Sequence, residues 1–459
     1  MFTKDIYIQR REQLRQSVQS GIVLLLGNGE AAVNYAGNDY AFRQDSSFLY
    51  YVGLDTPNLA YVLDIDNQKE YLLGNELTID DIIWMGHLPS LKERAAQVGI
   101  ETILPFSQLS SFTDKKRIIH YLKPYRYRNQ LLLSELFNKK VDEILSSYSI
   151  ELTKAIIQMR LIKSAEELAE LNDAGQTGYA MHIVAMKMCQ PGVSEREIAG
   201  VIEGLAVSRG TRVSFPSILS MNGQTLHNHD HSGILAKGRL MLCDAGAENI
   251  HHYASDFTRT TAVGGEYSQR QKNIHNIVLK ALNDSIALSQ PGITYKSVHR
   301  NAYKIIFEGL RDLGLMKGGT EEALNAGAPA LFMPHGLGHA MGLDVHDMED
   351  LGETWVGYDD EIHRDTLFGY RSLRFGKRLE PGHVLTVEPG IYFVPQLIEK
   401  WEKEKINTDF IHFAEVKKYL DFGGIRLEDD IVITETGCRF VYEKRLPVTV
   451  EEIIHATHS

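Results

Sequence analysis

One short segment broken by glycines, residues 335–347, constrains this chain most, because it places three histidines, His335, His339 and His346, close together. Neutral imidazole is the commonest side-chain metal ligand and a proton-transfer group near neutral pH. No glutamate stands between His335 and His339, so the segment differs from the zinc-binding helix that carries its own general base. If a metal binds here, its carboxylate ligands must come from other parts of the chain.

Composition and charge exclude several classes of partner. The chain is 43% hydrophobic and 24% charged, as in an ordinary globular protein. Its formal net charge of −12 argues against a nucleic-acid partner, since phosphate binding needs a basic face. The amino terminus lacks the pattern of a secretory signal, and no run approaches the ~18 apolar residues that cross a bilayer. We therefore expect no membrane partner and a cytoplasmic location.

The character of the sequence changes near Met159, which predicts a domain boundary between residues 157 and 158. Residues 1–157 read as an α/β domain, with a buried strand at Ile22–Leu26 between glycines. Residues 158–459 alternate amphipathic helices with glycine-punctuated β-rich segments. The pattern favours an α+β protein of two domains.

Two sequence patterns predict where helices begin after the boundary. Ser164 with Glu167, and Ser194 with Glu197, have the spacing of capping boxes, in which serine and glutamate bond the unpaired amides of a first turn. Each is followed by apolar residues at helical spacing. We expect a helix to start at each serine.

Two aspartates, Asp244 and Asp256, end up close together if their strands form a hairpin. The apolar run 240–243 ends at Asp244, and a second strand-like run, 253–260, contains Asp256. A turn over residues 249–252 would return the second strand along the first. Two neighbouring acids repel each other unless a cation lies between them. Turn and capping roles are the alternative for each aspartate alone.

Two glutamates occupy similar positions in the second half of the chain. Glu388 ends an apolar strand directly before a Pro-Gly break, and Glu428 lies in a strand-like run, where an exposed position is the alternative. With Asp244, Asp256 and one histidine, these acids form a set suited to two divalent cations such as Mn²⁺, Co²⁺ or Zn²⁺. Two cations that share bridging carboxylates can activate water to attack a carbonyl.

The order of these motifs resembles the dinuclear metal signature of the pita-bread metallopeptidases, and among them the Xaa-Pro dipeptidases (prolidases) and Xaa-Pro aminopeptidases (aminopeptidase P). The resemblance covers nearly the whole chain, including the segment 10–54 and Trp84-Met85-Gly86. It implies a carboxy-terminal pita-bread (creatinase/aminopeptidase) fold over residues 158–459 and an aminopeptidase-P-like α/β domain over residues 1–157. It also implies a homodimer or homotetramer.

The resemblance implies the metal ligands and the proton carrier. Two divalent cations, with Mn²⁺ expected and Co²⁺ or Zn²⁺ as alternatives, would be held by Asp244, Asp256, His339, Glu388 and Glu428. Asp256 and Glu428 would bridge the two cations. Glu388 would take the proton of the attacking water and deliver it to the leaving proline nitrogen.

Substrate contacts are likewise implied by the resemblance. The substrate-binding set would be His227, His335, His346, Arg374 and Arg426, with His335 and His346 also taking part in catalysis. Arg426 would orient the carboxylates and support developing charge. Arg374 resembles the prolidase arginine that holds the free carboxylate of a dipeptide, with a surface cation as the alternative. His229 and His231 have no counterpart, and we expect them in a solvated loop.

The resemblance implies a metallo-exopeptidase that hydrolyses Xaa-Pro bonds and releases the N-terminal residue. Xaa-Pro dipeptides would be preferred, and longer proline-containing peptides, the substrates of an aminopeptidase, are the alternative. A metal-free amidinohydrolase of creatinase type and a non-catalytic peptide-binding module share the fold, but both would lack metal ligands that this chain keeps. A histidine-only zinc peptidase is disfavoured by the excess of carboxylates.

Overall fold

The computed structural model describes residues 2–113 and 116–459. The chain divides into two compact units, the first ending at Arg160 and the second beginning at Leu161. The boundary expected between residues 157 and 158 falls inside the helix Ile150–Leu161, where a continuous helix gives the sequence no break to mark. Within the described ranges, no helix is both long enough and apolar enough to span a membrane.

The first unit is built around a five-stranded mixed sheet with strand order β4-β3-β2-β1-β5. The predicted buried strand is confirmed as β1, which runs antiparallel to β2 and parallel to β5. Its apolar side chains pack against Leu133 and Ile144 of the helices that follow the sheet. The strands are β1 (Ile22–Leu26), β2 (Ala60–Asp64), β3 (Lys69–Leu73), β4 (Ile103–Leu104) and β5 (Ile119–Tyr121). The helices are α1 (Lys4–Ser17), α2 (Ser46–Val52), α3 (Ile79–Met85), α4 (Leu91–Gln97), α5 (Tyr127–Phe137), α6 (Val141–Ser146) and α7 (Ile150–Leu161).

The second unit combines helices with short, mainly antiparallel sheets. Its strands are β6 (Arg212–Val213), β7 (Ile218–Ser220), β8 (Leu240–Ala245), β9 (Ala247–Glu248), β10 (Phe257–Ala262), β11 (Val384–Val387), β12 (Gly390–Tyr392), β13 (Gly424–Arg426), β14 (Asp429–Ile433) and β15 (Cys438–Phe440). Its helices are α8 (Ala165–Met188), α9 (Glu195–Arg209), α10 (Gln269–Leu288), α11 (Tyr295–Asp312), α12 (Thr320–Asn325), α13 (Glu353–Val356), α14 (Pro395–Lys403), α15 (Phe413–Val416) and α16 (Val450–His458). This mixture of elements confirms the α+β class.

The sheets of the second unit meet where the predicted ligands lie. One sheet has the order β10-β8-β7 and another the order β11-β14-β15. An isolated bridge between Thr258 and Glu428 joins β10 to the segment before β14, and a bridge between Ala340 and Leu385 joins the histidine segment to β11. Helices α8 and α9 pack against the first sheet through a common apolar cluster. The bridges and the packed helices together fix the ends of the strands that carry the predicted ligands.

The two predicted helix starts differ in detail. Ser164 forms the predicted capping box with Glu167 at the start of α8. The second box is wrong: Ser194 accepts a hydrogen bond from the Arg196 amide, and the described residues show no return bond from Glu197. The buried acid of this first turn is Glu195, which is 2% exposed. A tertiary contact of Glu195, described below, therefore takes precedence over the local capping pattern.

Candidate metal centre

The hairpin predicted to unite the two aspartates is present. β8 and β10 pair antiparallel, with Asp244 opposite Thr258, and Asp256 directly precedes β10. The turn lies where it was expected, with the His252 amide donating to the Asn249 carbonyl at 3.0 Å. Asp244 and Asp256 are 8% and 4% exposed. In each, the Oδ1 atom is buried and accepts no hydrogen bond from any described residue, so the hairpin places two unpartnered carboxyl oxygens in the interior.

His339 presents one ring nitrogen to these acids. Its Nδ1 atom lies 3.1 Å from the Ala340 carbonyl oxygen, which only accepts hydrogen bonds, so Nδ1 carries the proton and Nε2 keeps its lone pair. Nε2 lies 3.5 Å from Asp256 Oδ2 and 3.9 Å from Glu388 Oε1. The preceding glycine is required, because a Cβ atom at Gly338 would lie 2.0 Å from the Thr386 carbonyl oxygen.

The two glutamates reach the same place from the second sheet. Glu388 follows β11 directly, and Glu428 stands between β13 and β14. The alternative that Glu428 is an exposed strand residue is wrong, since it is 2% exposed and its Oε2 accepts a 2.6 Å hydrogen bond from Thr258 Oγ1. Ligand atoms of Asp256, His339 and Glu428 all lie within 4.8 Å of one another. This spacing suits a shared metal ion.

Burial raises the pKa values of three of these acids, Asp256, Glu388 and Glu428. Burial and then the nearby Glu428 raise the pKa of Asp256 well above its usual value, and burial and then Glu388 do the same for Glu428. Burial raises the pKa of Glu388 to about 8, against the opposing pull of the Arg426 guanidinium. Burial lowers the pKa of His339, keeping the ring neutral. Such a set of anionic oxygens with one neutral imidazole fits divalent cations, which would offset the repulsion.

Arg426 is positioned to orient one ligand. Its guanidinium donates to Asp244 Oδ2, to Thr258 Oγ1 at 3.1 Å and to the Tyr392 hydroxyl at 2.9 Å. The same Tyr392 hydroxyl lies 2.9 Å from His335 Nε2. Tyr392 therefore links the arginine to a predicted substrate histidine.

Three positioning residues escaped the sequence interpretation. Tyr392 is one, although a tyrosine in an apolar strand needs a partner for its hydroxyl, which is a usable signal. Asp430 is another: its Oδ2 accepts a 3.1 Å hydrogen bond from the Asp256 amide. The third is Lys163, whose Nζ lies 2.9 Å from Asp347 Oδ2 with both side chains 1% exposed. This buried ion pair anchors the segment that carries the histidines.

The predicted substrate histidines occupy different surroundings. His335 holds Nδ1 at 2.7 Å from the Gly336 carbonyl oxygen and 3.8 Å from Glu388 Oε2, and burial lowers its pKa to about 3. His346 packs its ring 4.1 Å from the His339 ring. His227 lies in an exposed loop, and partial desolvation followed by the Arg426 guanidinium lowers its pKa.

Arg374 lies near His346 but is already engaged. One cavity is lined by His339, His346, Glu349, Glu353 and Arg374. The Arg374 guanidinium donates to both glutamates, and Glu349 also accepts a 2.6 Å contact from His346 Nδ1. Arg374 is therefore held beside His339 rather than free on the surface. His227 and His335 lie outside the lining of this cavity.

The buried acids predict how metal stabilises the fold at different pH values. Glu388, with its pKa raised from 4.5 to about 8, keeps a proton in the folded metal-free protein that the unfolded chain has released. Folding stability is therefore lost as pH rises through that window, by about 1.4 kcal/mol per pH unit for one such acid. Metal binding requires the deprotonated ligands. The gain in melting temperature on adding Mn²⁺ to chelator-treated protein should grow from about pH 7 to about pH 8.

The range for this measurement avoids a second effect. Below neutral pH, buried histidines such as His335 and His383, whose pKa values burial lowers to about 3, also reduce stability. Comparing the same protein with and without metal at each pH cancels groups remote from the centre. A gain that stays constant or shrinks with rising pH would contradict the acid cluster as the metal site.

Comparisons with known proteins agree with this geometry. A family model described as metallopeptidase family M24 matches residues 169–435, and one described as the aminopeptidase P N-terminal domain matches residues 7–118. The Xaa-Pro aminopeptidase of Escherichia coli is 32% identical over 450 residues, covering 95% of this chain and 93% of that protein. The Xaa-Pro dipeptidase of Homo sapiens is 29% identical over 456 residues, covering 96% and 90%.

Solved structures show the same fold. A histidine-to-alanine variant of Escherichia coli aminopeptidase P superimposes with a TM-score of 0.82 at 29% identity, covering 100% of this chain and 98% of that one. The zinc-substituted form of that protein in complex with product gives a TM-score of 0.81 at 28% identity over the same shares. The expected pita-bread fold with an α/β amino-terminal domain is confirmed by this likeness.

Proposed function

Since this chain belongs to metallopeptidase family M24, we propose that it is a metal-dependent exopeptidase that hydrolyses the Xaa-Pro peptide bond and releases the N-terminal residue. The observation that carries the proposal is the buried group of Asp256, His339 and Glu428, whose ligand atoms lie within 4.8 Å of one another. The names of the relatives, Xaa-Pro aminopeptidase and Xaa-Pro dipeptidase, supply the substrate class.

We propose that two divalent cations bind here, held by Asp244, Asp256, His339, Glu388 and Glu428. The unpartnered buried Oδ1 atoms of the two aspartates and the free Nε2 of His339 support this assignment. Mn²⁺ is the expected metal, with Co²⁺ or Zn²⁺ as alternatives that suit the same donors. Bound cations would polarise the substrate carbonyl and lower the pKa of a water molecule.

Glu388 is the proposed proton carrier. It is the most exposed of the four acids, with 19% of its side chain accessible, so it can meet both water and substrate. The leaving group is the nitrogen of a tertiary amide, which must gain a proton before it departs. A carboxylate between water and that nitrogen can take the proton and then deliver it.

The neighbouring side chains then hold the reacting groups. Arg426 and Tyr392 fix the Asp244 carboxylate and the His335 ring through the bonds described above. Because His335 is neutral and its Nδ1 donates to a backbone carbonyl, we assign it to substrate contact rather than to proton abstraction. His346, packed against His339, is the second proposed contact. We place His227 in the same substrate-binding group.

We propose that Xaa-Pro dipeptides are preferred because Arg374 lines the cavity beside His339 and His346. A guanidinium there can bind the free carboxylate of the proline residue, which is the C-terminal residue of an Xaa-Pro dipeptide. The second candidate is an Xaa-Pro aminopeptidase acting on longer peptides. One observation favours it: Glu349 and Glu353 already accept hydrogen bonds from Arg374, so a substrate carboxylate must compete with both.

A comparison of two substrates tests the peptidase and its preference. The Mn²⁺-loaded protein should cleave Gly-Pro faster than Gly-Pro-Pro, and Arg374→Met should raise KM for Gly-Pro by about tenfold to a hundredfold, as expected when a charged hydrogen bond of about 1.5–3 kcal/mol is lost. The variant should affect the tripeptide far less, since its carboxylate lies one residue further away. Arg371→Met, an exposed arginine in the same segment, is the matched control.

The outcomes separate the two candidates. Failure of the metal-loaded protein to cleave either peptide would refute the peptidase assignment. Equal rates on both peptides, with an Arg374→Met variant that affects both alike, would make the protein an aminopeptidase. The homodimer or homotetramer and the cytoplasmic location stay predictions.

A further inference from the structure

The connection between β7 and β8 contains a loop that packs against apolar clusters through Met221 and Leu226 and otherwise consists of polar residues and glycine. We define the histidine loop as residues 221–233, which include His227, His229 and His231. Most of its residues are exposed or half-buried, and Gly223 is its one buried residue. A segment with so little buried surface needs polar contacts to keep one conformation.

Both ends of the histidine loop meet at the Glu195 carboxylate. Its Oε1 accepts a hydrogen bond from the Met221 amide at 2.7 Å, and its Oε2 accepts one from the Gly233 amide at 3.1 Å. The Glu195 amide in turn donates to the Gly233 carbonyl at 2.9 Å. Glu195 is 2% exposed and lies in the first turn of α9, where a negative charge is favoured by the helix dipole.

At Gly233, the carboxy-terminal end of the loop, the Glu195 carboxylate lies close to the backbone. A Cβ atom at Gly233 would lie 2.6 Å from the carboxyl carbon of Glu195. A methyl group at this position would therefore require the Glu195 carboxylate to move. The contact can therefore be disturbed from either side, by changing the acid or by adding a methyl group at Gly233.

His227 lies between these two anchored ends. Leu226, the residue before His227, packs against the apolar cluster that contains Tyr392, whose hydroxyl accepts a hydrogen bond from Arg426. This packing brings His227 near the candidate metal centre. Further bonds tie the loop to β7, among them two from its middle: Asn228 Nδ2 donates to Ser220 Oγ at 2.9 Å, and His231 Nδ1 lies 3.1 Å from the Leu219 carbonyl oxygen. These bonds hold the middle of the loop, whereas Glu195 closes its two ends.

We propose that Glu195 is a positioning residue that closes the histidine loop and so fixes His227 against the bound substrate. The inference rests on the proposed function, because it takes His227 to be a substrate contact. Glu195 does not reach the reacting atoms itself, and it acts through the geometry of the loop. Charge-assisted bonds to two backbone amides make the closure stronger than a neutral side chain would.

The first experiment compares Glu195→Gln with Glu197→Gln, an exposed glutamate two positions along the same helix. A glutamine side chain has only one acceptor oxygen, so its NH2 group would face one of the two backbone amides, donor against donor. One end of the loop would then lose its hydrogen bond. Hydrogen exchange of peptides covering residues 221–233 should speed up in the first variant and stay at the wild-type rate in the second. Unchanged exchange in Glu195→Gln would overturn the proposal whether or not the protein is a peptidase.

The second experiment asks whether the effect passes through His227. Misplacement of one contact should lower kcat/KM for Gly-Pro by about tenfold to a hundredfold in Glu195→Gln, mainly through KM, at wild-type metal content. In a His227→Ala background, the added loss from Glu195→Gln should disappear, since the two residues act through one contact. Additive losses in that double-mutant cycle would show a general structural role and overturn the proposal.

Gly233→Ala provides an independent route if Glu195→Gln fails to fold. The added methyl group should push the carboxylate away and reproduce the faster exchange and the kcat/KM loss with Glu195 intact. Wild-type kinetics and wild-type hydrogen exchange in Gly233→Ala would overturn the proposal that Glu195 closes the histidine loop. A wild-type protein without peptidase activity would refute the proposed function, while the exchange measurement would still decide the role of Glu195.

Discussion

Replacement of Asp256 by asparagine should remove both metal and activity. Asp256 belongs to the buried group with His339 and Glu428, with Oδ2 at 3.5 Å from His339 Nε2 and an unpartnered Oδ1. Asparagine keeps one oxygen but loses the negative charge and the second anionic donor, so it cannot bridge two cations. Loss of several kcal/mol of charge stabilisation corresponds to a fall in kcat/KM of about a thousandfold or more.

Three measurements on purified Asp256→Asn protein test this expectation. Elemental analysis should find less bound metal, and the Gly-Pro assay should give the rate loss. The matched control Asp284→Asn, at a half-buried aspartate paired with Lys280, should retain both metal and activity. The third measurement, a melting temperature, tests whether the variant is folded. Because the substitution replaces a buried acid, whose ionised form the fold disfavours, by a neutral amide, metal-free Asp256→Asn should melt at or above the temperature of metal-free wild type near pH 8.

The dinuclear assignment depends on that result. Full metal content and full activity in Asp256→Asn would contradict it. A variant that loses activity and also melts far below metal-free wild type would show a collapsed fold, contrary to the replacement of a buried acid by a neutral amide that the fold tolerates. The comparison thus separates loss of a ligand from loss of structure.

Local sequence patterns located the candidate ligands because each acid ends or interrupts an apolar strand. The hairpin that brings Asp244 and Asp256 together is encoded by neighbouring strands and a short turn, so the approach of the two aspartates could be anticipated. The position of Glu388 at the end of a strand could likewise be predicted, because a Pro-Gly break follows it directly. Glu428 was ambiguous from the sequence, because strand alternation allows an exposed side chain there, and only the partner strand with Thr258 resolves its burial.

The positioning groups could not be found in this way, because their partners are remote in sequence. Lys163 and Asp347 are 184 residues apart and Asp256 and Asp430 are 174 residues apart, so neither pair leaves a local pattern. Glu195 illustrates the opposite failure: the sequence offered a local pattern, Ser194 with Glu197, and tertiary bonds to two distant amides prevailed. The amphipathic pattern could identify a helix start but could not decide which of its acids turns inward.

Replacement of Glu388 by glutamine should separate proton transfer from metal binding. Glutamine preserves the shape and one oxygen donor but can neither accept the proton of water nor deliver it to the proline nitrogen. General acid–base catalysis contributes about 10²- to 10⁴-fold, so kcat for Gly-Pro should fall by that factor with little change in KM. Glu380→Gln, an exposed glutamate shortly before the same strand, should keep the wild-type rate.

The decisive condition is saturating metal, because Glu388 is also a proposed ligand. A kcat that stays low while elemental analysis shows full occupancy would identify proton transfer as the missing step. Recovery of kcat with excess Mn²⁺ would show that Glu388 acts only as a metal ligand. Another group would then have to carry the proton. His335 is poorly suited to that role, since burial lowers its pKa to about 3 and its Nδ1 is committed to the Gly336 carbonyl. The half-buried His346, beside the proposed ligand His339, would be the next group to replace.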